Sequence, residues 1–206
     1  MMSTTLLRLI GATLLSTLLI AAVPVRADDA GARAELIGLW QKMTERRDLA
    51  FRVRTTSTLG KGEPMASTME TRWPDRFHMK SDQSEMIILP SGTWMNANGN
   101  WMKMPIDMQK MIAQFTPEMM KKSMEGTTNV RFVGIDAVKG EPVKVYTYDF
   151  NVEVMGFKSS GNAKIFLRVA DGYPLRMESQ GKAMGKQTTT VAEYEYDDSI
   201  RINAPD

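Results

Sequence analysis

The residues able to do chemistry in this 206-residue chain are few. His78 is the single histidine and there is no cysteine. A Cys–His pair therefore cannot form, and a histidine-based zinc site lacks ligands. A Ser-His-Asp arrangement would have to use His78, which falls in a strand-like run between Phe77 and Met79. The ordinary reading there is a partly exposed strand histidine. Asp197-Asp198 ends the last strand-like run and reads as a solvated turn. No Gly-rich phosphate loop stands between a strand and a helix. These residues offer no catalytic constellation, and the expectation is a protein that is not an enzyme.

Methionine is the chemically distinctive residue. Sixteen of the 18 methionines lie beyond residue 27, and seven fall between Met102 and Met124. Unbranched, polarizable thioethers suit an apolar lining that adapts to ligands of varied shape. They also favour Cu(I). Trp94, Met95, Trp101, Met102 and Met104 could frame such a copper site, although no histidine supports it. The third reading is core packing, with methionine in place of leucine.

Periodicity indicates the elements that must position these residues. Ala34, Leu36, Ile37, Trp40 and Met43–Thr44 recur at the spacing of one helix face. From Leu49 the period becomes two: Leu49, Phe51, Val53 and Thr55 alternate with Ala50, Arg52, Arg54 and Thr56, one face apolar and one wet. Gly60-Lys61-Gly62-Glu63-Pro64 is a turn, and strand-like runs follow at 67–72, 77–81 and 86–89. Residues 93–96 and 100–103 flank Asn98-Gly99, a pair favoured where a two-residue turn needs positive φ twice. That register sets Met95 opposite Met102 and Asn96 opposite Trp101.

Residues 105–125 return to helical spacing. Met108, Met111, Ile112 and Phe115 share one face, and Thr116-Pro117-Glu118 opens a second helix carrying Met120 and Met124. Strand-like runs at 129–133, 143–154, 163–169, 175–179 and 188–196 complete the chain, with loops expected at 134–142, 156–162 and 170–174. No internal repeat or linker divides it.

The first 27 residues read as an export signal. Arg8 precedes an apolar stretch, Leu9 to Val23, of about 15 residues, short of the ~20 that span a bilayer. Val25-Arg26-Ala27 then presents small residues before Asp28-Asp29. The expected organisation is a cleaved signal peptide over 1–27 and a single domain over 28–206, located in the periplasm. Without cysteine there is neither a disulfide framework nor a lipid-bearing thiol. The net charge of +2 resides in Arg8 and Arg26; beyond them, basic and acidic residues balance. A nucleic-acid footprint needs a clustered basic excess, which is absent.

Several motifs carry a resemblance. They are the strand entry Trp73-Pro74-Asp75-Arg76-Phe77, the hairpin from Ser91-Gly92-Thr93-Trp94 to Gly99-Asn100-Trp101-Met102-Lys103-Met104-Pro105, and the run Ala170-Asp171-Gly172-Tyr173-Pro174-Leu175-Arg176-Met177. With them go the tail Tyr194-Glu195-Tyr196-Asp197-Asp198 through Ile200-Arg201-Ile202-Asn203-Ala204-Pro205, the helix with Trp40, and the helical insertion. Over about 35–205 the chain resembles the LolA-like superfamily, which holds periplasmic lipoprotein carriers, their outer-membrane receptors and mycobacterial lipid-binding lipoproteins.

The resemblance implies an α+β fold: a strongly curved, unclosed antiparallel β half-barrel with an N-terminal helix and a helical lid over the concave face. It makes 107–124 the lid. Met108, Met111, Ile112, Phe115, Met120 and Met124 then line an apolar hollow, with Met95 and Met102 of the hairpin beside them. The implied function is a monomeric carrier or binding protein for a lipid or acylated ligand, with no cofactor and no metal. Its further partner is an envelope protein or a membrane surface, and not nucleic acid. Two alternatives stand beside it: a non-catalytic protein-binding or sensor domain of the envelope, and a Met-rich copper-binding protein. The lipoprotein carriers of the superfamily have a cavity arginine that closes the lid. The strand arginines here are Arg52, Arg54 and Arg72, and alternation turns Arg52 and Arg54 away from the face of Phe51 and Val53.

Overall fold

A computed structural model describes residues 29–46, 48–105, 126–154, 157–183 and 185–205. The expected signal segment and the expected lid, with Met108, Met111, Ile112, Phe115, Met120 and Met124, lie outside the described residues.

The period-two runs become strands. In chain order these are β1 (Ala50–Leu59), β2 (Met65–Arg72), β3 (Arg76–Ser81), β4 (Glu85–Leu89), β5 (Gly92–Ala97) and β6 (Asn100–Met104), then β7 (Thr127–Val138), β8 (Glu141–Val154), β9 (Phe157–Arg168), β10 (Pro174–Ala183) and β11 (Lys186–Tyr196). They form one antiparallel sheet in the order β6-β5-β4-β3-β2-β1-β11-β10-β9-β8-β7. Every neighbour but one is joined by a local connection. The exception is β1 with β11, which brings the start and end of the sheet together at its middle. β6 and β7 follow each other along the chain yet form opposite edges, so the sheet is not closed.

One helix, α1 (Asp29–Glu45), lies on one face. Its buried stripe is Ala32, Leu36, Leu39 and Met43, packed against Leu49, Phe51, Val53, Val130, Tyr146, Ile165, Leu167 and Ala192. Spacings of four, three and four keep those side chains in one row along the helix. This corrects the expected face, because Ala34 is exposed and Ile37 and Trp40 are half-buried. Leu36 and Met43 are buried as expected, and Ala32 and Leu39 complete the row because steps of three and four residues keep one line of side chains toward the sheet. Each fully buried leucine in the stripe stabilises the fold by about 1.5–3 kcal/mol.

Two expected loops are strand. Residues 134–138 continue β7, whose turn into β8 is at Lys139-Gly140, both with positive φ. Residues 157–162 belong to β9. The glycines that suggested loops serve other purposes. Gly134, at φ 148°, sits at an irregularity in the β7–β8 pairing, where an extra residue needs a conformation closed to larger side chains. Gly161 is opposite Gly181, and a Cβ on either would lie 2.1–2.2 Å from a carbonyl oxygen of the neighbouring strand. The two backbones approach so closely on the α1 side that only glycine fits. The Asn98-Gly99 hairpin forms as expected, with φ of 54° and 86°.

The C-terminal residues beyond β11 cover part of the other face. Ile200 and Ile202 are buried against Ala50, Ile87 and Leu89, beside Trp94 and Trp101. Arg72 Nη1 donates to the carbonyls of Asp198 and Ile200 (3.3 and 3.4 Å), and Arg76 Nη1 to that of Ile202 (3.2 Å). Arg72, considered above as a cavity arginine, thus fastens the tail.

Candidate functional site

Unbroken register across β11 and β1 to β6 lets side-chain rows be followed from strand to strand. On the α1 side one row runs Tyr194, Val53, Met69, Met79, Met86, Met95, Met102. Five methionines from five successive strands stand directly opposite one another. The next row is Tyr196, Phe51, Thr71, Phe77, Ile88, Thr93, Met104. Met65 and Met177 fall on the same face by the same alternation, and Met43 reaches it from α1. Every methionine among the described residues therefore belongs to this one side of the sheet.

α1 shares the main core with residues of β1, β7, β8, β9 and β11, and Met69 of β2 and Met177 of β10 pack against it. Over β2 to β6 the described residues leave the methionine row half-buried, and Met102 at the edge is 51% exposed. No side chain on this side of β1–β6 carries a charge, as the alternation through Phe51–Leu59, Met65–Thr71, Phe77–Ser81, Met86–Ile88, Thr93–Ala97 and Asn100–Met104 requires. Aromatic rings border it: Phe51 lies 6.4 Å from Tyr194 and 5.8 Å from Tyr196, and Trp73 meets Phe77 edge-on at 6.3 Å.

Towards the other half the same side becomes hydroxylated. Ser57, Thr190, Ser179, Ala163 and Tyr148 form a row, all half-buried except the buried alanine. The Tyr148 hydroxyl donates to Met177 Sδ at 3.6 Å. Burial pushes the phenols of Tyr148 and Tyr194 each up to about 12, so both stay neutral donors at any physiological pH. Glu35 on α1 is held over the sheet by Lys144 Nζ (2.6 Å) and the Tyr146 hydroxyl. Burial works to raise its carboxyl, but those two hydrogen bonds hold it below the usual range.

The opposite side of the sheet carries the charge. Arg54, Glu195, Arg52 and Glu70 form a chain of ion pairs of 2.6, 3.2 and 2.5 Å, and Lys139, Glu193, Arg176 and Glu178 another of 3.0, 3.3 and 2.7 Å. His78 joins the first, with Nε2 2.8 Å from Glu85 and Nδ1 3.6 Å from Glu70. Its partners are carboxylates, with no hydroxyl nucleophile among them. Asp197 accepts from the Ser199 amide and hydroxyl, as a turn aspartate does. Arg52 and Arg54 face away from the apolar side, as their alternation indicated.

The sequence-suggested site divides accordingly. Met95 and Met102 are brought together, and Met104 stands beside them on the apolar side. Trp94 and Trp101 point to the other side, into the cluster with Ile200 and Ile202, so they do not frame a site with the hairpin methionines. Residues of opposite parity on a strand cannot share a face. Sequence reading missed Met69, Met79 and Met86. Their positions in three separate short strands gave no local signal, and only register aligns them. An open cavity of about 650 Å³ lies elsewhere; Thr147, Asp149, Asn162, Lys164, Glu178 and Gln180 of the charged side line it, and so do Tyr148, Ala163, Ser179 and Thr190. Its mixed charges and open form mark a solvated trough.

No family model and no curated protein matches the sequence. Solved structures do. The lipoprotein LppX of Mycobacterium tuberculosis superposes with a TM-score of 0.61 at 9% identity, over 85% of this chain and 100% of that one. LprF from Mycobacterium bovis does so at 0.54 and 12%, over 85% and 97%. The chain shares the fold of these two proteins. A LolA superfamily protein from Nitrosomonas europaea also matches, more loosely, at 0.34 and 6% identity over 81% of this chain and 91% of that one. At the identities of LppX and LprF the fold is what is shared; the chemistry of the face has to be argued from its own residues.

Proposed function

We propose that this protein is a carrier or binding protein of the bacterial envelope that holds a lipid or acylated ligand against the apolar side of β2–β6. The observation that supports it most is the row Met69, Met79, Met86, Met95 and Met102: five adaptable side chains in register on an uncharged surface, of which Met69 alone packs against the core that α1 helps to form. Burying an acyl chain releases ~0.8 kcal/mol per methylene. A 16-carbon chain therefore offers on the order of 12 kcal/mol before ordering costs, enough for retention without a specific polar contact. The hydroxyl row from Ser57 to Tyr148 supplies hydrogen-bond partners for the ligand's polar end. The half-barrel curvature and the lid of the LolA-like family belong to this proposal, as do Met108, Met111, Ile112, Phe115, Met120 and Met124 as further lining. So does export to the periplasm behind a signal peptide.

The test is displacement of a fluorescent fatty-acid analogue. Replacing Met79 and Met95 by Asp puts two carboxylates into the apolar row and is expected to weaken retention by about tenfold or more. Leucine at both positions keeps the apolar area and is expected to cost under about 1.5 kcal/mol. Retention that survives both aspartates would remove the face from the proposal.

A further inference from the structure

We propose that the same row is a site for a soft monovalent metal ion, Cu(I) or its mimic Ag(I), held by thioethers alone. The proposal stands on different chemistry from lipid retention. Lipid binding uses the row's apolar area, whereas metal binding uses its sulfur lone pairs.

Four observations converge. Met79, Met86 and Met95 occupy adjacent strands, each directly opposite the next. Directly opposed residues of antiparallel strands have Cβ atoms about 4.5–5.5 Å apart, so two flanking unbranched chains can lean over the central Met86 and bring three sulfurs to one point. Met69 and Met102 extend the row by one ligand on either side. The surface is also uncharged, so it holds no lysine or arginine to repel a cation. It equally holds no carboxylate to neutralise a divalent one, and among the described residues no group of three or more His, Cys, Asp or Glu side chains could bind a metal. A neutral sulfur set in apolar surroundings selects a soft monocation over Zn(II) or Cu(II); the imidazole of His78 and the carboxylates of Glu70 and Glu85 face the other side of the sheet. All three central methionines are half-buried, so the sulfurs are reachable yet sheltered. Finally, thioethers carry no proton, so a site built from them releases none on binding, unlike a thiolate or imidazole site.

The experiment is anaerobic titration of the mature protein with Cu(I) in competition with a chromogenic chelator. The native protein is compared with a Met79→Leu, Met86→Leu, Met95→Leu variant and with a Met177→Leu control. The native protein and the control are expected to take at least one Cu(I) from the chelator, with sulfur-only scattering in X-ray absorption. The triple variant is expected to lose more than about 100-fold in affinity, beyond the 10–100-fold that loss of an outer-shell partner costs. Native binding should stay level between about pH 5 and 8, across the range in which a histidine site would lose affinity on acidification. Fatty-acid displacement in the triple variant reports separately on folding and on the lipid reading, since leucine keeps the apolar area. A triple variant that binds Cu(I) as tightly as the native protein overturns the proposal. So does affinity that falls on acidification through the histidine range, which would place the metal at His78.

Discussion

At the scale of single residues, the apolar side of the sheet combines ordinary hydrophobicity with unusual adaptability. A leucine at Met86 or Met95 would bury comparable area, but its branched chain has fewer shapes to offer. A thioether chain rotates about three bonds and makes favourable contacts with rings, and Tyr148 already donates to the sulfur of Met177. Two buried polar atoms on this side, the hydroxyls of Thr93 and Tyr173, stand against the pattern. Thr93, 1% exposed between Ile88 and Met104, has a buried hydroxyl with no hydrogen-bond partner among the described residues. An unpaired buried polar group costs about 1–3 kcal/mol, and valine has nearly the same shape. Thr93→Val is therefore expected to hold or raise the denaturation midpoint. A loss of more than about 1 kcal/mol would show that the hydroxyl is paired.

At the scale of elements, the tightest constraint is the Gly161–Gly181 pair. A methyl group at either position would meet backbone, which cannot move aside as a flexible side chain can. Gly161→Ala is expected to destabilise the protein by about 1–3 kcal/mol, read as a lower chemical-denaturation midpoint, with the companion change Gly181→Ala doing the same. An unchanged midpoint would mean that the strands have room to separate. Sequence reading took Gly161 for a loop residue, because composition cannot distinguish a glycine that ends a strand from one required where two strands nearly touch. Gly134 misled for another reason, since its positive φ serves an irregularity within a strand pair. By contrast, the Asn98-Gly99 hairpin and the alternation of β1 were legible to the residue, since a turn type and a two-residue period are local properties. The helix was located correctly and its buried face in part: Leu36 and Met43 are buried as expected, while Ala32 and Leu39 pack where Ala34 and Ile37 were expected.

At the scale of the molecule, alternation across one sheet separates two surfaces. The outer one carries the linked ion pairs from Lys139 to Glu178 and from Arg54 to Glu85, together with the fastened tail; the α1 side carries the core and the methionines. Here the sequence was only half informative. An excess of methionine was plain, and so was the succession of short strands and turns. That Met69, Met79 and Met86 join Met95 and Met102 depended on strand order and register, which bring together residues 33 positions apart. Edge strand β7 leaves Val133 and Ile135 59% and 65% exposed, so this fold also offers a second apolar feature away from the row.

Native mass spectrometry of the mature protein, purified from a periplasm without detergent and then extracted with solvent, tests the lipid-binding claim most directly. The account predicts a chain that begins at Asp28 and carries a lipid-sized adduct, which extraction releases and which the Met79→Asp, Met95→Asp variant lacks. A bare protein mass, unchanged after incubation with fatty acids and phospholipids, would contradict it.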